Sequence, residues 1–189
     1  GVEGVEIEFL GRIADRDTRP LTIAVLLGAL HGHTEDEVNQ VNALPTARER
    51  GIEVAETSRG AARDFTDLVR VTVVSGDERA RVVGTNLGRR NRPHLLEAWG
   101  QRFNVQLEHH IALFRYRDVP GMIGRVGTTF GAHGVNIVSA AVGRQPDGDH
   151  FGEGGLAAMA ITTDQPVPSA VIDEIVATDG FVDGRTVAL

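Results

Sequence analysis

Apolar positions change period twice between Ile111 and Ser139. Ile111, Leu113 and Phe114 are apolar, with Tyr116 and Asp118 two and four residues after Phe114, which predicts a strand that stops at Pro120-Gly121. Met122, Ile123, Val126 and Phe130 then recur at helical spacing. Proline has a fixed φ and no N–H, so Pro120 is expected in the first turn of that helix, with Gly131 and Gly134 ending it. A second strand is expected from Asn136-Ile137-Val138 to Arg144, followed by a glycine-rich hairpin tip through Gly155. The return strand, Leu156 to Thr162, places Leu156, Ala158, Ala160 and Thr162 on one side and Ala157, Met159 and Ile161 on the other. Pro166 and Pro168 open a helix with Val171, Ile172, Ile175 and Val176 as its buried stripe. Gly180 ends it, and Phe181, Val182, Val187 and Leu189 form a last strand. The order β-α-β-β-α-β predicts a ferredoxin-like fold, with two helices on one face of an antiparallel sheet.

The first half also begins with alternation. Val5, Ile7 and Phe9 oppose Glu6 and Glu8, as in a half-buried strand. Asp17 or Thr18 is the expected cap, and Pro20 the first turn, of an apolar helix running to about Gly32. Thr34 with Glu37 reads as a capping box. Asn42 to Pro45 breaks the pattern before a short helix, Thr46 to Arg50, closed by Gly51. A strand starts at Ile52, and Thr57 to Asp64, small, polar and charged, reads as a surface loop. Phe65 to Ser75 and the run from Ala80 form a hairpin around Gly76-Asp77, and a final hairpin turns at Gly100. The fold class is therefore α+β in two domains. Residues 1–108 form an α/β domain and residues 109–189 a ferredoxin-like one.

Composition narrows the function. At 41% hydrophobic and 24% charged residues, the chain is typical of a globular protein, and no apolar run is long enough for a membrane helix. A formal charge of −7 gives no general pull on nucleic acid. The absence of cysteine removes disulfides and thiol nucleophiles and fits a cytoplasmic setting. Among the histidines, His31 with His33 and the adjacent His109-His110 lack further ligands at metal-site spacing, so no metal is expected. The chain has no dinucleotide fingerprint, P-loop or nucleophile elbow, and no catalytic residue is predicted.

What remains is the turn after the first strand of the second half. A helix start presents free N–H groups and the positive end of a dipole, which favours an anion. Asp118 and Asn136, placed at the edges of the same corner, accept from an ammonium group. Together these match a free amino acid. A plainer reading makes Asp118 a helix cap and Asn136 a turn residue. Likewise Arg89, Arg90 and Arg92 are either an anion site, joined by Arg102, or a solvated hairpin tip.

The run Tyr116-x-Asp118-x-Pro120-Gly121, Gly124-x-x-Gly127, Gly134-x-Asn136-Ile137 resembles the start of an ACT domain. Val41-Asn42-Ala43, Ala47-x-Glu49-Arg50-Gly51-Ile52 and Gly84-Thr85 with Gly88 resemble the intervening domain that precedes it in long-form D-3-phosphoglycerate dehydrogenases. The resemblance covers nearly the whole chain. It implies that L-serine binds where ACT domains of two subunits pair, in a homodimer or homotetramer, and inhibits by feedback. Its contacts would be Tyr116, Asp118, Val119, Pro120, Gly121 and Met122 of one subunit, and Asn136 and Ile137 at the start of a strand of the neighbouring subunit. It also implies that NAD and the catalytic site belong to a region outside this segment, which itself holds no cofactor. In the intervening domain it implies a phosphate-bearing ligand, although His94, Gln101 and Gln106 stand where relatives tend to be basic. The alternative function is an oligomerisation module with no ligand of its own.

Overall fold

The computed structural model describes residues 1–32, 37–144 and 155–189. His33, Thr34 of the predicted capping box, and most of the glycine-rich hairpin tip lie outside them. The chain forms two bodies, Gly1–Asn91 and Arg92–Leu189.

In the first body, β1 (Gly4–Gly11), β2 (Glu53–Arg59), β3 (Asp67–Ser75) and β4 (Glu78–Leu87) lie in the order β4-β3-β1-β2. β1 pairs with β2 in parallel and with β3 antiparallel. The parallel pair requires a crossover, which α1 (Arg19–Leu30) and α2 (Ala43–Glu49) supply. The alternation of β1 buries Val5, Ile7 and Phe9 against Leu26, Leu30, Ala43 and Ala47. Two local expectations fail. Thr57, Ser58 and Arg59 are strand rather than loop, paired with Glu8, Phe9 and Leu10. Their side chains are exposed on an edge strand, so they look like loop residues while the backbone ladder holds them extended. Pro45 does not break a helix but sits in the first turn of α2, where its missing N–H costs nothing.

The second body contains β5 (Arg92–Ala98), β6 (Gln101–Gln106), β7 (His110–Arg117), α3 (Met122–Ala132), β8 (Ile137–Arg144), β9 (Leu156–Thr163), α4 (Ser169–Val176) and β10 (Phe181–Ala188). The sheet order is β10-β7-β9-β8-β6-β5. Its last six elements are the expected β-α-β-β-α-β unit, with the β5–β6 hairpin added beside β8. Phe114, Tyr116, Met122, Val126, Phe130, Met159, Ile161, Val171 and Ile175 form one core between sheet and helices. β9 is central in that unit, which is why both of its faces are buried from Ala157 onward. A Cβ on Gly184 would lie 2.6 Å from Val176 Cγ2 and 3.0 Å from Phe114 Cδ1. Only glycine lets β10 pass this close to α4.

Candidate functional site: the corner between β7 and α3

The chain leaves β7 at Arg117 and consumes its backbone donors one by one. Asp118 N–H donates to the Gly155 carbonyl at 2.7 Å, and Val119 N–H to the Arg117 carbonyl at 2.9 Å. Pro120 has none. Gly121 is the N-cap of α3, at φ 92°, with no side-chain cap. This left-handed geometry suits glycine and strains other residues. The first intrahelical bond runs from Arg125 N–H to Gly121 O at 3.0 Å. The amides of Gly121, Met122, Ile123 and Gly124 therefore have no described acceptor, and these are the donors of the corner. This corrects two expectations. Pro120 precedes the helix instead of occupying its first turn. The donors begin at Gly121, because the Val119 amide is already taken.

Asp118 is not the helix cap either. Its two carboxylate oxygens face Arg144 at the end of β8, with Nε 2.5 Å from Oδ2 and Nη2 donating to Oδ1 at 3.2 Å. Tyr116 is 2% exposed, with its ring 5.8 Å from that of Phe181. Burial, and after it the charge of Asp118, push its hydroxyl up to about 12, while Arg144 opposes the shift.

Asn136 and Ile137 do not share this corner within one chain. Tyr116 registers with Ala157, and Ala157 with Arg144, so β7 and β8 end together. Ile137, at the start of β8, registers instead with Thr163 at the far end of β9. Eight residues of strand separate Asn136 from Arg144, roughly 25 Å. Helical connections hid this from the sequence: β7 and β8 run parallel with β9 between them, so the start of one strand lies far from the end of the other. Asn136 is exposed.

The outer edge of β8 faces β6. Arg102 opposite Arg144 is the one ladder pair described between β6 and β8. A Cβ on Gly143 would run into the Arg102 carbonyl, so β6 passes close to β8 there. From Ile137 to Val142 the edge has no described strand partner, and Val138 is 60% and Val142 38% exposed.

Arg89 and Arg90 occupy an exposed turn of the first body; Arg92 and Arg102 belong to the second. Arg102 lies 3.8 Å from the buried Glu97. The first body instead has an open cavity of about 480 Å³ lined by Arg12, Arg16, Asp64, Asp67, Asn86 and Asn91 among others. Its two guanidinium groups are balanced by two carboxylates. Among the described residues, no group of three histidine, aspartate or glutamate side chains is arranged to hold a metal, and no helix is long and apolar enough to cross a membrane.

Sequence reasoning missed Arg144. It stands beside a glycine-rich tip and carries no motif; only counting register across β7, β9 and β8 places it opposite Asp118.

A ferredoxin-like unit with an uncapped helix start beside an acidic side chain is the architecture of an ACT regulatory domain, and the ACT domain model matches residues 110–180. The model of the D-3-phosphoglycerate dehydrogenase intervening domain matches residues 1–97, and the chain belongs to this family. Curated D-3-phosphoglycerate dehydrogenases are similar along its whole length. That of Archaeoglobus fulgidus is 31% identical over 188 residues, covering 100% of this chain and 34% of the relative. That of Synechocystis is 32% identical over 182 residues, covering 92% of this chain and 30% of the relative. That of Bacillus subtilis is 28% identical over 192 residues, covering 100% and 34%. The chain thus spans about a third of the length of these relatives.

Proposed function

We propose that this chain is the regulatory part of an NAD-dependent D-3-phosphoglycerate dehydrogenase of L-serine biosynthesis, and that it binds L-serine between the ACT domains of two subunits for feedback inhibition. NAD binding and oxidation of the substrate belong to the remaining two thirds of such an enzyme.

One observation carries the reading: Asp118 and Asn136 lie at opposite ends of the sheet, and the outer edge of β8 from Ile137 to Val142 has no described ladder partner. An antiparallel β8–β8 seam with its two-fold axis near Ala140 would turn this separation into proximity. It brings Asn136 of the partner subunit toward the end of β8 where Arg102 of β6 pairs with Arg144, and so toward Asp118. The exposed Val138 and Val142 would be covered in the same step. Two equivalent sites result, each built from both chains. The serine carboxylate meets the amides of Gly121 to Gly124, and its ammonium meets Asp118 and the amide oxygen of the partner's Asn136. Tyr116 and Ile137 wall the site. Such a ligand stabilises the paired arrangement only by its differential affinity for it, typically about 1–3 kcal/mol.

Complementation tests this directly. Asp118→Ala and Asn136→Ala should each abolish serine binding in titration calorimetry. Mixed dimers of the two variants should regain one site of the two, because one pair of intact residues then meets across the seam. Mixtures that stay silent although each variant folds and dimerises would reject the shared site.

The competing reading, an assembly module that binds nothing, is favoured by one specific observation: Asp118 is already satisfied by Arg144. A melting temperature that does not move with millimolar serine would select it. In the first body a phosphate-bearing ligand on Arg89 and Arg90 remains part of the proposal, and titration of phosphoglycerate into Arg89→Ala with Arg90→Ala tests it.

A further inference from the structure

The Asp118–Arg144 pair is a fork on a fork. Both carboxylate oxygens face the guanidinium, Nε at 2.5 Å and Nη2 at 3.2 Å. The aspartate is the more enclosed partner, with 28% of its side chain exposed against 61% for the arginine. Register imposes the meeting, since Tyr116, Ala157 and Arg144 share one line across the sheet. A carboxylate has about four acceptor sites and a two-point fork fills only part of them, but this fork occupies both oxygens along their shared edge. An incoming ammonium therefore competes with a cation of the same chain.

We propose, building on the amino-acid reading above, that Arg144 is a specificity-determining residue of the corner, acting by ion-pair exchange. The ammonium of the ligand takes Asp118, and the released guanidinium swings to the ligand's carboxylate, which the free amides of Gly121 to Gly124 also hold. Arg144 can move because it is the exposed member of the pair and ends its strand. The exchange explains why a zwitterion, and not half of one, is recognised. An α-amino acid replaces one ion pair by two. A bare amine takes Asp118 but leaves Arg144 without a partner. A bare carboxylate finds the donors but leaves the Asp118–Arg144 pair closed, and cannot reward its opening.

The test compares L-serine with ethanolamine, which keeps the ammonium and hydroxyl but lacks the carboxylate, by titration calorimetry on the dimeric chain. In the wild type serine should bind at least ~10-fold more tightly, the scale of a charge-assisted hydrogen bond. In Arg144→Gln the preference should fall by at least about threefold, to what the amides of Gly121 to Gly124 supply alone, because ethanolamine no longer displaces a cation and serine no longer gains one. Arg144→Lys keeps the charge without the fork and should fall between. A merely structural Arg144 would weaken both ligands alike and preserve the ratio. An unchanged ratio in Arg144→Gln, with serine still bound, would overturn the exchange alone. Wild-type protein that binds neither ligand would overturn the amino-acid reading and the exchange with it. If Arg144→Gln fails to fold, the ratio is read in Arg144→Lys, where an undiminished preference is the overturning result.

Discussion

Each body contains a helix that begins beyond a turn, and the two starts are finished in opposite ways. At α1 the chain supplies its own anion. Asp17 Oδ1 accepts the Arg19 N–H at 3.2 Å and both carboxylate oxygens bind the Arg19 guanidinium, which holds the Asp17 carboxyl down to about 2. Thr18 occupies the cap position without a side-chain bond, so the capping falls to Asp17. At α3 the cap is Gly121, which has no side chain, and the nearest carboxylate, Asp118, faces Arg144. Both helices carry the same dipole and the same orphan amides. What separates an anion site from a finished helix end is whether the chain has already filled it.

This contrast can be broken or sharpened by experiment. The largest effect tests the platform under the open corner. Phe130 of α3 is fully buried against Phe114, and Phe130→Ala should cost about 3–5 kcal/mol in denaturant unfolding. A loss below about 1 kcal/mol would mean that α3 is not anchored as described. Next, Gly184→Val forces methyl groups into the side chains of Val176, Ile172 and Phe114 and should cost about 1–3 kcal/mol. A neutral result would show that α4 has room to move. Removing the two aspartates separates the helix starts themselves. Asp17→Ala should lower the melting temperature slightly by uncapping α1. Asp118→Ala should leave stability within about 1 kcal/mol, the usual worth of a partly exposed ion pair, while serine binding disappears. Equal destabilisation with unchanged binding would erase the distinction. The smallest effect is in alkali. The Tyr116 hydroxyl keeps its proton to about pH 12 in the folded chain, against an ordinary value of 10.0. Its contribution is complete below pH 10 and falls as pH rises toward 12, because the unfolded chain releases the proton first. Tyr116→Phe should flatten that part of the stability profile; an identical slope would place the loss elsewhere.

Much of the second body could be read from its residues. The apolar period switches from strand to helix at Pro120-Gly121 and back at Gly134-Asn136, and the elements follow within a few residues. The edges were harder. Thr57 to Arg59 pair through their backbone and expose their side chains, so nothing in their composition marks a strand. Pro45 reads as a breaker unless the helix is known to begin two residues earlier. At the site, the residue types were legible and their mutual placement was not. Asp118 and Asn136 look like neighbours because only a short helix and its turns separate them, yet the strand inserted between β7 and β8 puts them at opposite ends.

By itself, the sequence determined the alternation of strands and helices, the point where β7 gives way to α3, and the lack of a recognised catalytic or metal-binding motif. These depend on periodicity, backbone freedom and side-chain chemistry, all local properties. Only the tertiary structure decided that Arg144 holds Asp118, and that Asn136 of the same chain lies at the far end of β8 from both. Those outcomes depend on strand order and register, which distant segments settle together by burying a common core.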